Sequence, residues 1–257
     1  MGIVVGAGIY VLVGAATAQA GSLVWASFAI AAVVAALTGL SYAELASLFP
    51  SAGAEYQFAR RAFNEFIGFV VGWLMIAGNI VGAGAVALGF AEYARYFVAV
   101  DPRVLAVGLL LVLTVAVSFN VRQWIWLTTG LVLVEVSGLL LVIAIGLPHL
   151  GDHSLLEGTP RGVLSGAALL FFAFIGFDEV VTLSDETRNP SRVIPRALLL
   201  ALGISTLLYV AVGIAAISVI DYRVLADSER PLALVIEHDG REYRLRRTQN
   251  GKLILTA

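Results

Sequence analysis

Four acidic side chains stand inside or at the rim of long apolar stretches: Glu44, Glu135, Asp178 and Glu179. A carboxyl group in hydrocarbon is costly, and where one persists it marks an ion pathway or a proton relay. Glu135 is flanked by apolar residues on both sides, with no basic residue near it in sequence. Two readings stand: a protonatable group with a proton-coupling role, or a carboxyl that is protonated or bonded locally to Ser137 or Thr128. Glu44 gates a pathway, pairs with an arginine, or simply sits at the interface. Asp178 and Glu179 follow the aromatic run Phe171-Phe172-Ala173-Phe174-Ile175-Gly176-Phe177. A helix break at Gly176 would free carbonyls for an ammonium group between aromatic walls; the alternative is a span whose acids have reached water.

Backbone groups offer a second kind of chemistry. Gly6-Ala7-Gly8-Ile9 places two glycines inside an apolar stretch, and each glycine costs a helix about 1 kcal/mol against alanine. A break there would present free N–H groups at the start of a half-helix, a ready site for a carboxylate. Close packing through small residues is the competing reading. Other chemistries are excluded by composition. The chain has no cysteine, which removes disulfides, thiol nucleophiles and cysteine-ligated metals, and its three histidines are scattered. The expectation is a protein that is not an enzyme and has no metal site.

The elements that must position these groups are membrane helices. The 257 residues are 60% hydrophobic and 13% charged, against roughly 25% charged in soluble domains. Met1–43, 66–91, 104–121 and 197–220 carry no charge, and 123–150 and 162–177 hold only Glu135. A span needs about 20 apolar residues. With Gly21-Ser22 as a turn, seven spans are expected, at about 3–20, 23–45, 66–92, 104–120, 126–147, 163–180 and 196–219. Asn189-Pro190 ends one helix, and Pro195 suits the first turn of the next. With a cytoplasmic N-terminus the inner loops hold Arg60, Arg61, Arg122, Arg188, Arg192 and Arg196, and the outer loops Arg95, Arg103 and Arg161. This bias fixes the orientation and puts the C-terminus outside. Net charge is only −2, so no nucleic-acid partner is expected for the membrane part.

The last stretch differs. Residues 221–257 hold 7 of the 16 basic residues, which divides the chain near 220 into a membrane domain (1–220) and a polar tail. Leu234 to His238, Arg241 to Thr248 and Lys252 to Thr256 read as three short strands around Asp239-Gly240 and Asn250-Gly251 turns.

Together these motifs resemble the amino acid–polyamine–organocation (APC) permeases, over about residues 2–235. Gly6 to Ile9 matches the break of their first span. Tyr42-Ala43-Glu44-Leu45 through Pro50 to Tyr56 matches the stretch after their second, with Ala54 in place of a glycine. Gly72-Trp73 fits the third, and Phe171 to Pro195 fits the sixth. The resemblance implies an all-α, LeuT-like fold of five-plus-five inverted repeats. It also implies an amino acid or related amine as substrate, moved by secondary transport across a bacterial inner membrane, often with protons. Backbone N–H groups of Gly6, Ala7, Gly8 and Ile9 would hold its carboxylate. Carbonyls of Phe174, Ile175 and Gly176 would hold its amino group, with Phe174 as an aromatic gate and Glu44, Glu135 and Asp178 as coupling or gating groups. Such permeases have about twelve spans, so the expectation is a permease truncated after seven. The stretch Gly240 to Thr256 is similar to the C-terminal part of HemP-family hemin uptake proteins. That similarity implies an alternative role in hemin uptake, with haem contacts from the tail through Arg241, Arg244, Arg246, Arg247 and Lys252; His238 and Tyr243 are ligand candidates by residue type alone.

Overall fold

The computed structural model describes residues 5–6, 8–49, 51, 53–95, 97–117, 121–183, 187–228, 230–237, 244–247 and 253–256. Eleven α-helices are described: α1 (Gly8–Ala20), α2 (Val24–Leu48), α3 (Ala54–Ala62), α4 (Glu65–Ala94), α5 (Pro102–Val117), α6 (Val121–Gly146), α7 (Pro160–Phe171), α8 (Glu179–Thr182), α9 (Pro190–Val219), α10 (Tyr222–Ala226) and α11 (Pro231–Glu237). Five stretches among the described residues are long and apolar enough to cross a membrane: Gly8–Leu48, Glu65–Ala94, Thr129–His149, Pro160–Thr182 and Pro190–Val219. The first has 41 residues, length for two crossings at about 20 residues each. A 3₁₀ turn at Gly21–Leu23 divides it into α1 and α2, with Gly21 at φ +66°. A sixth apolar helix, Pro102–Ala116, is shorter.

Local signals set the helix starts. Asn64 precedes α4, and its side chain accepts the Ile67 N–H at 2.9 Å. Thr159 does the same for Gly162 at 3.1 Å, with Pro160 at the first helical position of α7. These caps satisfy N–H groups that a helix cannot pair internally. The start of α9 departs from expectation. Asn189, left-handed at φ 56°, passes directly into Pro190, and Pro195 lies inside the helix rather than in its first turn. The proline at the Asn189 stop is itself the first helical residue, where a missing N–H costs nothing.

The core lies where α1, α2, α7 and α9 meet. Val13, Ala16, Ala20, Phe28, Ala31, Ala35, Leu170, Leu198, Leu202 and Tyr209 are all buried there. Small residues allow the close approach: a side chain on Gly166 would meet the Ser27 hydroxyl at 2.8 Å, and one on Gly39 would meet Leu202 at 2.5 Å. The Ser27 hydroxyl donates to the Val163 carbonyl at 2.9 Å across the same contact. Outward faces are apolar, with Phe66, Val81 and Leu207 among the most exposed large residues.

The polar tail does not separate from this bundle at 220. Leu225, Leu232 and Val235 of α10 and α11 are buried in the same core, and Gly14 of α1 faces the Leu225 and Ser228 carbonyls and Pro231. The first of the three expected strands does not form: Leu234–Glu237 is the end of α11, which Pro231 opens. Burial of Leu232 and Val235 at a three-residue spacing favours helix over alternation. Beyond it, β1 (Arg244–Arg247) pairs antiparallel with β2 (Leu253–Thr256), Arg244 opposite Thr256.

Candidate functional site

The segment expected as the sixth span, α7 to α8, is interrupted inside its glycine–aromatic run. α7 tightens into a 3₁₀ turn at Phe172–Phe174, Ile175 is extended (φ −59°, ψ 140°), Gly176 takes φ +115°, and α8 restarts at Glu179. A residue with a Cβ adopts such a positive φ only with strain, so glycine makes this break possible. The Asp178 carboxylate accepts the Gly176 N–H at 2.9 Å and fixes the turn. Asp178 thus has a structural role that its coupling or gating assignment did not contain.

The break has two faces. On one, Ala173 and Phe174 are buried against α1 and α9. Gly8, the first residue of α1, lies so close that a side chain there would meet the Ala173 Cα at 2.9 Å. Val5 and Gly6 form a bend ahead of α1, Ile9 is fully buried, and Ala7 lies outside the described residues. On the other face, Phe172 and Ile175 look into a cavity of about 510 Å³. α2 contributes Thr38 and Tyr42 to its wall, α4 contributes Met75, Gly78, Asn79 and Gly82, and the break adds Phe171, Phe177 and Asp178. Tyr42 stands edge-on to Phe177, ring centroids 5.5 Å apart. A mostly apolar wall with a few convergent polar groups is the usual composition of a small-molecule site, and the volume is within the roughly 300–1,000 Å³ such sites occupy.

The expected site residues are therefore dispersed. Ile175 and Asp178 line the cavity, while Phe174 is fully buried against the Tyr209 ring at 5.1 Å. Glu44 is exposed on α2 away from the cavity wall. Glu135, half-buried on α6, is next to α1: the Tyr10 hydroxyl donates to its backbone carbonyl at 2.7 Å, and Tyr93 of α4 donates to the Tyr10 carbonyl at 2.9 Å. Ser137 donates instead to the Val134 carbonyl at 2.6 Å. Near the loop end of the cavity, Glu55 of α3 lies close to Tyr42 and Glu179, and its Oε1 is buried without a hydrogen-bond partner among the described residues. On the same loop Arg60 pairs with Glu65, which raises the guanidinium pKa above its ordinary value.

Two sets of residues escaped the sequence reading. Gly78, Asn79 and Gly82 give α4 a small, polar notch that meets the break; an amide in an otherwise charge-free span was the available signal. Tyr209 was hidden because an aromatic residue in an apolar run has no marker of its own.

A sequence-family description, amino acid permease, matches residues 1–242. The chain belongs to the amino acid permease family. It is 29% identical over 267 residues to the branched-chain amino acid permease BcaP of Bacillus subtilis, covering 95% of this chain and 57% of that protein. It is 33% identical to an uncharacterized transporter of Mycobacterium tuberculosis, over 99% of this chain and 58% of that protein. The vacuolar cationic amino acid transporter 4 of Arabidopsis thaliana is 29% identical over 95% of this chain and 45% of its own length. The chain thus spans about half the length of the curated relatives it matches. These relatives are transporters, not enzymes. The family match runs through α10 and α11 to residue 242, past the boundary expected near 220. The hemin reading of the tail gains no support from these matches; His238 and Tyr243 lie outside the described residues.

Proposed function

We propose that this permease binds an amino acid or related amine at the sixth-span break and takes part in its secondary transport across the bacterial inner membrane. The observation that carries the reading is the break at Gly176 opening onto the 510 Å³ cavity between α2 and α4. A helix interrupted at membrane depth is tolerated where it lines a cavity, and its freed carbonyls then serve as ligands. Ile175 and the adjoining backbone hold the ammonium group, and Asp178 adds negative charge beside it. Gly6 to Ile9, ahead of and within the first turn of α1, hold the carboxylate. The aromatic walls, Phe171, Phe172 and Phe177, take the apolar part of the ligand. Equilibrium binding of labelled L-leucine and L-arginine to the purified chain in nanodiscs tests this, with Asn79→Leu as the cavity-blocking variant. Saturable binding that the variant abolishes is the expected result; binding unaffected by it removes the site.

Glu135 is proposed as the proton-coupling group. Its support is a carboxyl in an apolar helix, within electrostatic reach of Tyr10 and Tyr209 beside α1. Glu135→Gln should abolish uptake driven by a pH gradient and leave substrate counterflow intact. Loss of both would make the residue structural.

The arginine bias supports a cytoplasmic N-terminus and an outer C-terminus. A reporter active only outside the cytoplasm, fused after Ala257, is expected to work. Activity of a cytoplasmic reporter at that point would reverse the orientation.

A further inference from the structure

Tyr209 of α9 is fully buried, one of the largest side chains in the core to be so. Its hydroxyl donates to the Ala173 carbonyl at 3.1 Å, within the 3₁₀ turn of the sixth-span break. The Gly6 backbone, in the bend ahead of α1, lies near the same oxygen, and Gly8 of α1 abuts the Ala173 Cα. Both partners need such a group. Ala173 sits where the helix that would have supplied an N–H to its carbonyl stops: Ile175 N–H turns back to Phe172, and Gly176 N–H goes to Asp178. Gly6 precedes the first helical turn, whose N–H groups have no partner within the helix. A hydroxyl can donate and accept at once, and so it can serve both. The ring is locked in place by Phe174 at 5.1 Å and Phe28 of α2 at 5.8 Å.

We propose that Tyr209 is a positioning residue that ties the sixth-span break to the bend ahead of α1, its hydroxyl bridging Gly6 and Ala173 from the side opposite the cavity. The tie fixes the separation between the groups assigned to carboxylate and to ammonium. It contacts neither end of the ligand. This consequence for binding rests on the function proposed above; the tie itself does not.

The test compares the full chain with its Tyr209→Phe variant in nanodiscs by hydrogen–deuterium exchange. The variant keeps the ring contacts and removes only the bridging oxygen. Exchange in peptides covering 5–13 and 172–180 should accelerate about tenfold, as for the loss of a buried hydrogen bond that held both segments. Peptides from α2 and α4 should be unchanged. Unchanged exchange in either segment, or acceleration spread over all helices, overturns the tie. In parallel, binding of labelled L-leucine and L-arginine should weaken about tenfold in the variant, the equivalent of one lost positioning contact. Wild-type protein that binds neither amino acid would sink the binding-site reading, while the exchange pattern still decides the tie.

Discussion

Gly8 has no room for a side chain, and Ser205 has a hydroxyl with nowhere to go. These two residues show how differently small positions respond to change. At Gly8 the obstacle is the Ala173 backbone, which cannot rotate away as a flexible side chain could. Gly8→Leu should therefore force α1 from the sixth-span break, at about 1–3 kcal/mol for overpacking, and abolish amino acid binding in the nanodisc assay. Ser205 is fully buried on α9 with an unpartnered oxygen. Ser205→Ala removes a desolvated polar group that contributes no bond, so thermal unfolding in detergent should be unchanged or shift upward, by the equivalent of about 1 kcal/mol. A clear fall would mean that a partner is bound there. At this scale the sequence was informative only where a residue type carries its own constraint. Gly176 announced itself by type and by its place in the aromatic run, whereas the role of Asp178 in the turn did not. Tyr209, Asn79 and Ser205 acquire meaning only from what the fold places beside them.

The sixth-span break is an element with a backbone cause, and its stability can be dissected. Gly176→Ala puts a Cβ on a residue at φ +115°, at about 1–3 kcal/mol. Asp178→Ala leaves the N–H of the buried Gly176 without its acceptor, again at about 1–3 kcal/mol. The two changes act on the same turn, so the double variant should lose less than the sum in detergent unfolding. Additive losses would show that the carboxylate does not fix the turn. Apolar helices were legible along the chain because charge is absent from them over lengths that only a bilayer requires. The α11 helix was misread as strand because Leu234 to Glu237 is too short for periodicity to separate the two, and the deciding factor, Leu232 and Val235 packing in the core, is tertiary.

Across the described residues, the outward faces carry many large apolar side chains, with Phe66 at 75% and Leu207 at 73% exposed. Exposed area of this kind is stable only in lipid, so alkaline carbonate should leave the chain in the membrane pellet and detergent should release it. Release by carbonate would count against a spanning bundle. Membership of the permease family was legible from four motifs in the first 195 residues; the cavity was not, because its walls come from three segments far apart in sequence. The turn joining α1 to α2 illustrates what such distances entail. Gly21 has its φ of +66° against the Glu157 carbonyl, Ser22 both donates to and accepts from the Glu157 backbone, and the Trp25 indole donates to the Leu155 carbonyl. Those partners lie 130 to 135 residues later in the chain. On the ribosome, the first hairpin therefore enters the membrane long before the loop that completes it has been synthesised. Its buried small-residue face must wait in lipid, or against the insertion machinery, until α7 and α9 emerge. The opening hairpin is thus an early arrival with late partners, and synthesis that stalls between residues 50 and 155 would leave it as the part most exposed to membrane quality control.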